Sequence, residues 1–73
     1  MVRPQQMEYD RELQRWRVTQ SGNDYGLHCG EHFSIVINGK PVPCRIELDR
    51  SWYVIMNGAK FNLRETDHYS VIL

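Results

Sequence analysis

The sequence predicts an all-β fold: a small SH3-like barrel or a strongly curled antiparallel meander of six to seven short strands. Three observations carry that expectation. Asn38-Gly39 and Asn57-Gly58 are two-residue hairpin loops of the kind that needs positive φ at both central positions. Apolar and polar residues alternate with period two on either side of those loops, as half-buried strands require. The chain has 73 residues, enough for one core, and a flat sheet of that size would leave one apolar face wet. At this length only about 60% of the unfolded surface is buried on folding, so stability is expected to be marginal.

Taken in order, residues 1–6 are expected to form a loose arm and residues 7–73 a single β domain. Pro4 to Gln14 is ambiguous. Pro4 could open a short helix, but Met7 and Tyr9 suit a strand paired back onto Arg15 to Thr19, and the strand is the preferred reading. Leu13 to Gln20 alternates, with Trp16 and Val18 on one face and Arg15, Arg17 and Thr19 on the other. Ser21-Gly22-Asn23-Asp24 is a turn cluster. Tyr25, Leu27 and Cys29 alternate towards Gly30, which is expected to turn the chain into Phe33. Tyr69, Val71 and Leu73 alternate again, and a strand there would close the sheet.

Between Phe33 and Leu63 the turns set a register. The first Asn-Gly loop places Ile37 opposite Lys40, Ile35 opposite Val42 and Phe33 opposite Cys44. The second places Met56 opposite Ala59, Val54 opposite Phe61 and Trp52 opposite Leu63. A three-residue loop at Asp49-Arg50-Ser51 sets Leu48 opposite Trp52 and Ile46 opposite Val54. Opposed residues share a face. The inward set is then Phe33, Ile35, Ile37, Val42, Cys44, Ile46, Leu48, Trp52, Val54, Met56, Ala59, Phe61 and Leu63, and it holds no charge. A slip of one residue would turn the whole set outward. Pro41 and Pro43 fit this register, because their missing donors fall where no neighbouring strand offers an acceptor.

Nine basic and nine acidic residues cancel. That balance argues against a non-specific nucleic-acid binder, which carries a basic excess, and equally against an acidic mimic. No apolar run approaches the roughly 20 residues of a membrane span, and no signal-peptide pattern stands before the fold. The cytoplasm is therefore the expected compartment, with Cys29 and Cys44 as reduced thiols.

Several stretches carry a resemblance. These are Gly26-Leu27-His28-Cys29-Gly30-Glu31-His32-Phe33, Ile37-Asn38-Gly39-Lys40-Pro41-Val42-Pro43-Cys44-Arg45-Ile46-Glu47 and Trp52-Tyr53-Val54-Ile55. More weakly, Met7 to Asp10 and Arg15 to Val18 join them. The whole resembles a small family of unknown function from low-GC Gram-positive bacteria and their phages and plasmids. The resemblance implies a stand-alone all-β domain without assigned activity or catalytic residues, often encoded on mobile elements. Cys44 departs from the family's pattern, where Thr is usual.

One cluster hints at chemistry: His28-Cys29-x-x-His32, with Cys44 and His68 elsewhere. Thiolate and imidazole ligands suit tetrahedral zinc, and a Cys beside a His can be a nucleophile. Yet no second Cys-x-x-Cys or Cys-x-x-His pair exists, and the register sends Cys44 inward and His32 outward. The expectation is core thiols, no metal, no cofactor and no enzyme activity.

The outer face of the meander is more suggestive. It stacks Arg45, Ile55 and Lys60 in one row and Glu47, Tyr53 and Asn62 in the next, with Val36 nearby opposite Pro41. Tyr and Arg are favoured at binding hot spots, and an exposed Tyr-Ile-Val cluster is unusual on a monomer. Either a protein partner binds there, with the chain a monomer or weak homodimer, or a terminal strand covers the patch. A nucleic-acid reading would use Arg11, Arg15, Arg17 and Trp16 as a contact strip, although Trp16 and the arginines point to opposite faces.

Overall fold

The computed structural model describes residues 3–20 and 22–73. Among them the chain forms eight strands and no helix: β1 (Gln5–Asp10), β2 (Arg15–Gln20), β3 (Asn23–Gly26), β4 (His32–Ile37), β5 (Lys40–Leu48), β6 (Trp52–Met56), β7 (Ala59–Asn62) and β8 (Tyr69–Ile72). All pairings are antiparallel, in one sheet of order β3-β2-β1-β8-β4-β5-β6-β7. Of the two expected architectures the curled meander forms. The sheet stays open, with β3 and β7 as its edges. Eight strands replace the expected six to seven, because the ambiguous segment and the tail are both strands.

The meander register is the expected one. Ile35 opposes Val42 and Phe33 opposes Cys44; Ile46 opposes Val54 and Leu48 opposes Trp52; Val54 opposes Phe61. Asn38 and Gly39 have φ of 52° and 76°, and Asn57 and Gly58 have 51° and 76°, the backbone that two-residue hairpins of matching twist demand. The β5–β6 ladder spans only Arg45 to Leu48 on β5, so Pro41 and Pro43 meet no strand on that side.

β1 and β2 form a hairpin with Met7 opposite Val18 and Tyr9 opposite Trp16. Asp10 Oδ1 accepts hydrogen bonds from the Glu12 and Leu13 amides at 3.0 and 3.1 Å, which fixes the turn between the two strands. β1 begins at Gln5, so Gln5 and Gln6 belong to the sheet, paired with Val71 and Ser70, and not to the expected arm 1–6, of which Met1 and Val2 lie outside the described residues. In the turn cluster, Ser21 lies outside the described residues and Gly22 takes φ +82°.

β8 joins the two halves. It pairs with β1 through Gln5–Val71 and with β4 through Ile35–Val71. The tail thus inserts into the middle of the sheet and closes no barrel.

The chain enters β4 through a bulge. Gly30 N–H donates to the Ile46 carbonyl at 2.8 Å, and Ile46 N–H donates to the Glu31 carbonyl at 3.0 Å. Two residues therefore oppose one. Gly30 supplies the required left-handed backbone, with φ +88°, and such a bulge sharpens the local twist.

Curling brings one continuous core together: Met7, Trp16 and Val18 from the N-terminal hairpin, Leu27, Val71, and Phe33, Ile35, Cys44, Ile46, Trp52, Val54, Met56 and Leu63 from the meander. Trp16 stands edge-on between Tyr9 and Tyr69, with ring centroids 5.4 and 5.6 Å away. Four residues of the expected inward set are corrected. Ile37, Leu48, Ala59 and Phe61 share the core face but are exposed, since they sit at hairpin ends or on the edge strand, beyond the reach of the opposing wall. Val42 is half-buried. Cys29 is also corrected: β3 ends at Gly26, and Cys29 is exposed in the following turn, not in the core.

Trp52 is 5% exposed, while Tyr53 lies half-buried on the outer face. Trp52→Ala should therefore cost roughly 3–5 kcal/mol and Tyr53→Ala about 1 kcal/mol. Urea unfolding of the two variants measures the contrast, and the reverse order would mean that the strand faces the other way.

Candidate functional site

On the outer face of β5, β6 and β7 the two expected rows exist. Arg45 opposes Ile55, which opposes Lys60; Glu47 opposes Tyr53, which opposes Asn62. Arg45 Nε lies 2.9 Å from Glu47 Oε2, and Lys60 Nζ lies 4.4 Å from the centre of the Tyr53 ring. These contacts run between neighbouring rows and hold the long side chains down over a rigid sheet. A cation above a tyrosine ring contributes about 0.5–1 kcal/mol at an exposed site, so the order of the patch outweighs its contribution to stability.

Terminal strands do not lie across this face. β1, β2, β3 and β8 extend the same sheet sideways. Ile55, Tyr53, Arg45 and Glu47 are half-buried, and Lys60 and Asn62 are exposed.

Val36 does not belong to the patch. It opposes Pro41, with the Ser34–Pro43 row between it and the row of His32 and Arg45, about 13 Å along the strand at 3.3 Å per residue. His32 does belong to it, opposite Arg45. With Pro43, Arg45, Ile55, Asn57 and Gly58 it lines a shallow depression of about 200 Å³. The hairpin register already implies that position for His32.

The N-terminal half carries a different surface. Arg17 meets Glu8 at 2.8 Å, Asp24 at 2.9 Å and Asp10 at 3.5 Å. Thr19 also donates to Asp24 at 3.0 Å, and His68 Nε2 lies 3.6 Å from Glu8 Oε2. Arg15 donates to the Leu27 carbonyl at 2.8 Å. Trp16 is fully buried. Of the expected strip of Arg11, Arg15, Arg17 and Trp16, only Arg11 is exposed: the indole lies in the core, carboxylates surround Arg17, and Arg15 is tied to the Leu27 carbonyl.

The histidines and cysteines do not converge. Among the described residues, no group of three or more His, Cys, Asp or Glu could hold a metal ion. Cys44 is buried, and burial pushes its thiol up to about 11, with amide hydrogen bonds from Ile35 and Phe33 offsetting part of the shift. A thiol held neutral is a poor ligand and a poor nucleophile. His28 points outward, while its amide donates to Glu31 Oε2 at 2.7 Å. Tyr25 hydroxyl donates to the other Glu31 oxygen, and that hydrogen bond with the neighbouring carboxylate raises the Tyr25 pKa.

On the concave side the core is incompletely covered. A cavity of about 530 Å³ opens between β4, β6, β7 and the start of β8, with Ile35, Val54, Met56 and Leu63 among its apolar walls and Asn38 and His68 among its polar ones. Alternation along single strands carries no sign of it, because it exists only where the curled sheet fails to meet itself.

The model of a domain of unknown function, DUF5348, matches residues 5–73. The chain belongs to the DUF5348 family. The match takes in both halves of the sheet and the outer face alike. A structural-genomics crystal structure of a protein from Ruminococcus gnavus is similar over 97% of this chain and 100% of its own, with 32% identity and a TM-score of 0.78. No curated protein matches the sequence. Among the described residues of this DUF5348 chain, no helix is long and apolar enough to cross a membrane.

The two thiols should behave differently. In the native protein one thiol, Cys29, should react promptly with a disulfide reagent, and two should react in denaturant. The Cys44 thiol is neutral in the fold up to about pH 11, against an ordinary value of 9.0. Its contribution to stability is then complete below pH 9 and is lost as pH rises through about 11, because the unfolded chain ionises first. Unfolding curves across this window should lose less stability for Cys44→Val than for the native chain.

Proposed function

We propose that the chain is a small non-enzymatic protein-binding module that engages its partner through the outer face of β5 to β7. The observation that carries this reading is the double row of Arg45, Ile55, Lys60 and Glu47, Tyr53, Asn62, with Lys60 resting on the Tyr53 ring. Binding costs side-chain entropy. Here the long side chains are already held by neighbours on three paired strands, so less is lost. A Tyr and an Ile between a cation and an ion pair supply what interface centres favour: an aromatic anchor, apolar area and a polar rim. The Arg45–Glu47 pair sits at the edge of the patch, where it can tune specificity and on-rate.

The mobile-element company implied by the sequence resemblance makes a host protein, and a defence protein in particular, the partner class we place first. A reduced, exposed Cys29 suits a cytoplasmic setting for that encounter.

The tagged protein, incubated with host extract, should retain a dominant partner. Tyr53→Ala and Ile55→Asp should each weaken that retention by about 2 kcal/mol or more, roughly 30-fold. Leu13→Ser, in the exposed β1–β2 turn, should leave it unchanged. Retention that survives both face substitutions in folded protein would overturn this reading.

A further inference from the structure

The sheet ends at β7, and β7 is the strand whose every residue is exposed. Its hairpin is closed by Met56 opposite Ala59. Hydrogen-bonded pairs then alternate, so Ala59, Phe61 and Leu63 bond back to β6; Leu63 N–H donates to the Trp52 carbonyl at 3.1 Å. Lys60 and Asn62 therefore direct their N–H and C=O groups away from β6, to an edge with no strand beyond it. Phe61, between them, is 49% exposed on the concave side. The open run ends at Arg64, whose amide donates to the Tyr69 hydroxyl at 3.0 Å.

We propose that this edge is a homodimer seam, in which a second copy of the chain pairs its own β7 antiparallel about a two-fold axis beside Phe61. Charge and hydrogen bonding select the register. Three symmetric pairings set outward-directed groups against one another. Lys60 against Lys60 opposes two ammonium groups. Asn62 against Asn62 brings Lys60 opposite Arg64, again like charges, and the Arg64 amide is already engaged. The third sets Lys60 opposite Asn62 of the second copy, twice by symmetry, with no like charges opposed. It places Phe61 against Phe61 and Ala59 against Leu63 on the concave side, the cross-strand contacts that stabilise sheets.

On the outer face the same register runs the Arg45–Ile55–Lys60 row of one copy into the Asn62–Tyr53–Glu47 row of the other. The rows thus continue across the seam at both of its ends, with Lys60 meeting the neutral Asn62. The contact is self-complementary and closed, as a two-fold interface must be. Head-to-tail pairing of β3, the other edge, with β7 would not close. The dimer presents two copies of the Tyr53 and Ile55 face on one continuous sheet. It stands independently of whether that face binds a partner.

Sedimentation equilibrium of the full chain from micromolar to millimolar concentration tests the seam. The mass should rise reversibly from 8.7 kDa to twice that value. Lys60→Pro removes the N–H that crosses the seam and no backbone hydrogen bond within the chain; it also gives up the contact of Lys60 with the Tyr53 ring, and it should fold, by circular dichroism, and stay monomeric. Asn62→Lys sets like charges opposite each other at both pairs and should weaken dimerisation by about tenfold or more. Adding Lys60→Glu to Asn62→Lys should restore it. Should Lys60→Pro fail to fold, this second pair of variants decides. A constant 8.7 kDa, a dimer indifferent to Asn62→Lys, or growth beyond a dimer would overturn the proposal.

Discussion

The two halves of this molecule are held to each other by the backbone of β8. Val71 is fully buried and opposes Gln5 on one side and Ile35 on the other. The N-terminal strands and the meander are each built from local hairpins, whose registers are set by their own turns. Neither buries its apolar face alone. A hairpin or a short meander in water is marginal, and only the insertion of the last strand between the first and the fourth gives one sheet enough width to curl over a common core. That contact spans nearly the whole chain, so its loop closure is the costly step of folding.

What the inserted strand makes possible, aromatic packing completes. Tyr69, at the start of β8, stands edge-on to Trp16, which stands edge-on to Tyr9. The three rings bridge β8, β2 and β1. Across the core, Trp52 packs with Ile46, Val54 and Leu63 in the same buried cluster. Such rings cover large areas with little conformational freedom to lose, which suits a chain too short for a thick core. The bulge at Gly30 adds twist where β5 must bend towards the N-terminal half.

The curl also sorts the surface. On the N-terminal half, Arg17 is enclosed by Glu8, Asp10 and Asp24, so its charge is spent within the chain. On the meander, Lys60 meets the Tyr53 ring face, and Arg45 keeps part of its guanidinium in solvent beyond Glu47. The half-buried Tyr53 and Ile55 lie between these groups, and they make the meander face the candidate for recognition.

By itself the sequence determined which side of the sheet each meander residue takes. Two Asn-Gly loops and a three-residue loop specify pairing through the twist they accept, and period-two geometry does the rest. It therefore placed Tyr53, Ile55, Arg45, Glu47, Lys60 and Asn62 on one face before any contact was known. Depth was a tertiary matter. Ile37, Leu48, Ala59 and Phe61 share the core face yet stay wet, because burial needs an opposing wall and the curled sheet supplies one only at its middle. The same holds for Cys29, left in a turn once β3 stopped at Gly26. The place of β8 was equally closed to local reading: alternation shows that Tyr69 to Ile72 is a strand, but its neighbours are chosen by which free edges and apolar faces remain when the hairpins have formed.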